Sequence, residues 1–130
     1  MSTRTIHTDK APAAIGPYSQ GIIANGLLFT AGQIALDPST GEIVGGDVQA
    51  QTERVLQNLT AILDAAGASW GDVVKITKYL TDMRDMDGMV SVLVQYFGDW
   101  TPASTTVCVN QLSTPGARVE LDMIAAYPKK

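Results

Sequence analysis

One apolar stripe decides the architecture open to this chain. Between Asp47 and Gly67, the residues Val48, Thr52, Val55, Leu56, Leu59, Ile62, Leu63 and Ala66 recur at three- and four-residue spacing. That is a helix with a single buried face, begun by Asp47 as N-cap and stopped by Gly67. A second, shorter stripe runs from Asp85 to Phe97 through Met86, Met89, Val90, Leu93, Val94 and Phe97. Gly88 interrupts it at a cost of about 1 kcal/mol relative to Ala. The remaining apolar segments alternate as strands do: Thr3–His7, "SQGIIA", "LLFTAGQIAL", "DVVKITKYLTD", Ala103–Asn110 and Arg118–Tyr127. Asn25-Gly26 between the second and third strands is a strong hairpin signal. Six strands and two one-sided helices predict an α+β two-layer domain over residues 1–130, a six-stranded mixed sheet with both helices on one face. The other sheet face is then left uncovered.

That face directs attention to "TPASTTVCVNQL", Thr101 to Leu112. Ser104, Thr106, Cys108 and Asn110 share one side of this strand, where an ordinary half-buried strand carries charge. Arg118, Glu120 and Asp122 share one parity on the last strand. With "STPGA" read as a turn, the last two strands are expected to pair as a hairpin, bringing Thr106 near Asp122 and Cys108 near Glu120. Cys108 itself reads as a small buried hydrophobe, and Trp70 and Trp100 as packing residues.

Composition narrows the chemistry. The 130 residues include one His and one Cys, with a net charge of −4. There is no HExxH, no paired CxxC, no GxSxG, and no phosphate-loop Lys-Ser/Thr after the Gly-rich "GEIVGGD". The absence of a basic cluster argues against nucleic-acid or membrane-surface partners. "MSTRTIHTDK" lacks the apolar core of a signal peptide, and with a lone Cys this predicts a cytoplasmic protein.

Along nearly the whole chain, "GPYSQ", "GQI", "LDPSTGEIVGGD", "DVVKITKYLTDM", "YFGDWTPA" and "VELDMIAAY" occur in an order that resembles the Rid family, also called YjgF/UK114. The resemblance implies a chorismate-mutase-like fold assembled as a homotrimer, with small-molecule clefts between subunits. It further implies hydrolysis of reactive imines and enamines to 2-oxo acids and ammonia without metal or organic cofactor. Carried over by position, the family's site tyrosine is Tyr18, and its Ser-Gly pair becomes Ala31-Gly32. An asparagine near the ligand becomes Val90. The arginine that grips the substrate carboxylate becomes Ser104, and a nearby cysteine becomes Thr106. The carboxylate that handles water is assigned to Asp122.

Ser104 is the main departure, because a hydroxyl cannot replace a bidentate guanidinium. Lys75, Lys78 or Arg84 of a neighbouring subunit are the cations that would have to stand in. Three functions follow as expectations. The first is an imine or enamine deaminase with an altered cleft, the second a non-catalytic small-molecule-binding trimer, and the weakest an endoribonuclease.

Overall fold

Asn25 and Gly26 both hold positive φ, 53° and 76°, as a type I′ turn requires. They join strand β2 (Gly21–Ala24) to strand β3 (Leu27–Thr30). The computed structural model describes residues 3–127; the outermost residues of the expected 1–130 unit, 1–2 and 128–130, lie outside that range. The other strands are β1 (Thr3–Ile6), β4 (Val73–Leu80), β5 (Ala103–Cys108) and β6 (Val119–Ala126). The helices are α1 (Val48–Ala66) and α2 (Met86–Phe97), with 3-10 turns at Trp70–Asp72 and Met83–Asp85. The strands form one mixed sheet in the order β1-β2-β3-β6-β4-β5, and the two helices cover one face. This is the expected chorismate-mutase-like architecture.

The local signals for α1 hold. The Asp47 carboxylate accepts the Ala50 N–H at 2.9 Å, and Gly67 ends the helix at φ 81°. Val55, Leu56, Leu59, Ile62 and Leu63 are at most 1% exposed, each contributing about 1.5–3 kcal/mol of burial. Helix α2 turns differently from its expected stripe. Val92 is buried with Met89 and Leu93, whereas Val94 is 55% exposed. Gly88 lets α2 close on α1, since a Cβ there would stand 2.7 Å from Val48 Cγ1. Val94 lines an open hollow beside the edge strand β5. Trp70 packs edge-to-face on Tyr96 and Phe97, with centroids 5.4 and 5.0 Å away.

The expected β5–β6 hairpin does not form. Strand β4 lies between them, antiparallel to β6 and parallel to β5. Parallel neighbours need a crossover of a dozen residues or more, and α2 supplies one between β4 and β5. "STPGA" therefore belongs to a loop that passes over β4 rather than to a tight turn. Register then separates what the hairpin would have joined. Ser104 and Thr106 face Ile76 and Lys78, which face Met123 and Leu121, all on the helix-covered side. Glu120 and Asp122 sit with Tyr79 and Thr77 on the open side. Thr106 is thus not beside Asp122, nor Cys108 beside Glu120. Cys108 is exposed rather than buried, standing at the end of the edge strand β5.

Among the described residues, no helix is long and apolar enough to cross a membrane.

Candidate functional site

Past Thr30 the chain leaves the ladder of β3 and returns for one bridge. The Gln33 N–H donates to Leu121 O at 2.9 Å, and Leu121 N–H to Gln33 O at 3.1 Å. That bridge draws Gly32 across the neighbouring residue of β6, Glu120. A methyl group at position 32 would collide with the Glu120 carboxylate, so the close approach requires glycine.

Three buried amides hold the surrounding loops. The Gln20 side chain accepts the Thr8 N–H at 2.7 Å and donates to the carbonyls of Thr8, Ala11 and Pro12. Its backbone carbonyl accepts Ala31 N–H. The Gln51 amide donates to Val44 O and Gly116 O and accepts the Arg118 N–H. Asn58 donates to Ile34 O and Leu36 O. Buried loop carbonyls would otherwise lack partners, and these contacts fix the walls of a cavity of about 500 Å³. Tyr18, Gly32, Gln33, Ser113, Thr114 and Glu120 contribute to its lining, with Ile15 and Ile34 as apolar walls. Tyr18 is 53% exposed and Ile15 90%, so the mouth of the cavity is open.

The residues expected to form one site fall into three places. Tyr18 and Gly32 share the cavity, and Ala31 lies beside it without lining it. Asp122 is absent from its wall: the carboxylate accepts the Tyr79 hydroxyl at 3.1 Å on the open sheet face. Val90 and Ser104 line a separate apolar hollow of about 200 Å³ between α2 and β5. Thr106 is half-buried on the same strand. Within one chain, these groups do not converge.

Glu120 is the residue that sequence reasoning passed over. Its pKa is raised, chiefly by burial and then by the negative charge of Asp122. Asp122 is raised by burial too, offset by the Tyr79 hydrogen bond and the Lys75 charge. Of the two carboxylates, Glu120 has the open cavity and the weaker hold on its charge, the combination a proton-transfer group needs. Parity had placed both on one face; only the glycine at 32 marks a close neighbour, and its partner is set by the bridge to Leu121.

A third hollow, about 720 Å³ between Thr81 and the Asn110–Arg118 loop, offers less chemistry. Its charges are already engaged, Asp82 by Arg84 at 2.7 Å and Arg118 by Asp85 at 3.4 Å.

Comparison with known proteins agrees with this picture. Residues 8–127 match the family model described as Endoribonuclease L-PSP. A RutC family protein of Pyrococcus abyssi is 49% identical, covering 96% of this chain and 98% of that protein. The 2-iminobutanoate/2-iminopropanoate deaminase of Homo sapiens is 39% identical, covering 94% and 88%. The crystal structure of E. coli TdcF with bound serine superposes with a TM-score of 0.89 at 40% identity, covering 95% of this chain and 98% of that one.

Proposed function

Since the chain belongs to the Rid family, the one described by the L-PSP model, we propose that it hydrolyses a small reactive imine or enamine in the Glu120 cavity. The overall change is R₂C=NH + H₂O → R₂C=O + NH₃. The observation that carries this reading is the Glu120 carboxylate held against Gly32 in an open, otherwise uncharged cavity. Glu120 takes a proton from water as it adds to the imine carbon. It passes that proton to the imine nitrogen, giving a carbinolamine, then takes the hydroxyl proton and delivers it to the nitrogen as the carbonyl forms and the C–N bond breaks. The imine is already electrophilic, so one carboxylate and polarised water suffice. The human relative's name supports this substrate class, and the serine bound to TdcF supports a ligand of amino-acid size.

The working assembly in this reading is a homotrimer. Register puts Ile22, Phe29, Ile124 and Val107 on the open sheet face, with Phe29 41% and Val107 39% exposed. Packing between copies would cover these side chains and bring one chain's β5 wall towards another chain's Glu120. Sedimentation should give three times the 13.8 kDa chain mass; a stable monomer would remove the basis for a shared cleft.

The deciding assay is coupled ammonia release from freshly generated 2-iminobutanoate. Glu120→Gln should lower turnover at least ~100-fold, within the range for loss of a general acid–base, with the trimer intact. Undiminished turnover in that variant would end the assignment of Glu120. The non-catalytic reading draws on Ser104 and Val90, where two polar anchors are replaced. It predicts ligand binding with no ammonia release by the wild type. A net charge of −4 disfavours the ribonuclease reading.

A further inference from the structure

Lys78 is 8% exposed, an unusual position for an ammonium. Register aims it at the covered face, between Leu121 of β6 and Thr106 of β5. There it lines the hollow formed with Val90, Leu93, Phe97, Trp100 and Ser104. No carboxylate stands among these neighbours. Among the described residues, no hydrogen bond or ion pair engages the Lys78 ammonium. It is not sealed in either: among the described residues, the one fully enclosed side-chain N or O atom without a partner is Thr52 Oγ1. Holding a partly desolvated cation without a counter-ion costs free energy, and Met or Leu would fill the same space at no such cost.

We propose that Lys78 is the cation that binds the carboxylate of a small, apolar-bodied acid in the hollow between α2 and β5. This rests on the reading that the ligand is a carboxylate-bearing imine or its 2-oxo product. Three observations converge on it. Ser104 lines the same hollow as Lys78 and adds a hydroxyl donor to the cation. Apart from Thr101 the remaining wall is apolar, suited to an alkyl tail. The volume of about 200 Å³ lies below the range for drug-sized ligands and limits the occupant to a few heavy atoms. Burial alone lowers the Lys78 pKa from its ordinary value, with no anion nearby to oppose it; a bound carboxylate would supply that anion. An ammonium grips as a point charge rather than a fork, so selectivity should follow charge and tail length more than planar geometry.

The test uses the intact protein and two isosteric probes, butanoate and neutral butanamide. Calorimetric titration of wild type should show butanoate bound at least ~10-fold more tightly than the amide, the ratio expected for a hydrogen bond to a charged group. Lys78→Met should remove that preference and leave amide binding within about twofold. Localisation comes from wild type alone: butanoate should protect Lys78 from acylation by an amine-reactive reagent, read by peptide mass spectrometry, while Lys75 stays unprotected. Equal affinity for the two probes, or preference retained in Lys78→Met, or no protection at Lys78, overturns the proposal. Ammonia release is a separate readout. A wild type that binds butanoate at Lys78 yet releases no ammonia refutes the deaminase reading and leaves this one standing.

Discussion

The cavity under Gly32 and the hollow between α2 and β5 lie on opposite sides of the same sheet, and they hold charges of opposite sign. Glu120 projects from the open face of β6 and Lys78 from the covered face of β4. Among the described residues neither has a counter-charge of its own: the charge that acts on Glu120 is another carboxylate, Asp122, and Lys78 has no anion among the residues lining its hollow. The fold gains nothing from either arrangement, since a neutral isostere would avoid the desolvation cost. What the pair suits is a ligand with a carboxylate at one end and a hydrolysable nitrogen at the other. In one chain the sheet stands between the two groups. A single small molecule can reach both only where two copies meet.

Complementation separates the two groups with the largest effect. The Glu120→Gln and Lys78→Met variants should each lose most imine hydrolysis on their own. Co-refolded at equal ratio, they should regain about a quarter of the sites, because random mixing in a cyclic trimer pairs an intact Glu120 with an intact Lys78 at that frequency. Mixed trimers as inactive as their parents would place both groups' roles within one chain.

A smaller effect should come from Gly32→Ala. No positive φ is required at this position, so the backbone tolerates alanine and the displaced group is the Glu120 carboxylate. Misplacing a catalytic group by about 1 Å can cost up to ~100-fold, so kcat should fall ten- to a hundredfold while the trimer mass is unchanged. Unaltered kcat would mean that Glu120 is not held by this contact. Asp122→Asn tests the contrasting neighbour. The amide oxygen still accepts from the Tyr79 hydroxyl, and turnover should stay within about threefold of wild type. A loss matching that of Glu120→Gln would return the catalytic role to Asp122.

These neighbours also show where sequence reading stops. Asp47, Gly67 and the Asn25-Gly26 turn are local signals, and each element they bound is present. Tyr18 and Gly32 were reachable by resemblance and do share a cavity. The order of strands is not local. β6 inserts between β3 and β4 through pairing distant in sequence, and a turn-rich loop looks the same whether it closes a hairpin or passes over a strand. Choosing between Glu120 and Asp122 depended on that same information. Alternation assigns both to one face, and only the Gln33–Leu121 bridge brings Gly32 over the first. Lys78 was visible as a cation two residues from the strand's end, but not its burial, which needs α2 folded over β4.

The smallest effect is thermodynamic and concerns Glu120 alone. Its folded pKa is raised above the unfolded value, first by burial and then by Asp122. Between the unfolded and the folded pKa, the native state therefore binds more protons than the unfolded chain. Stability must fall as pH rises through that window, the reverse of the usual behaviour of a salt-bridged carboxylate. The favourable contribution is fully present below the unfolded value and is lost once Glu120 ionises in the folded protein. Glu120→Gln keeps the shape and removes the titration. The variant should be more stable than wild type near neutral pH, by less than about 1 kcal/mol per chain for a group still partly solvated. The difference should shrink towards mild acid, where the wild-type carboxyl is protonated as well. Denaturant midpoints of the two proteins across mild acid to neutral pH measure this directly. If the difference instead widens on acidification, Glu120 is stabilised as an anion in the folded state, and the cavity must already hold a positive partner for it.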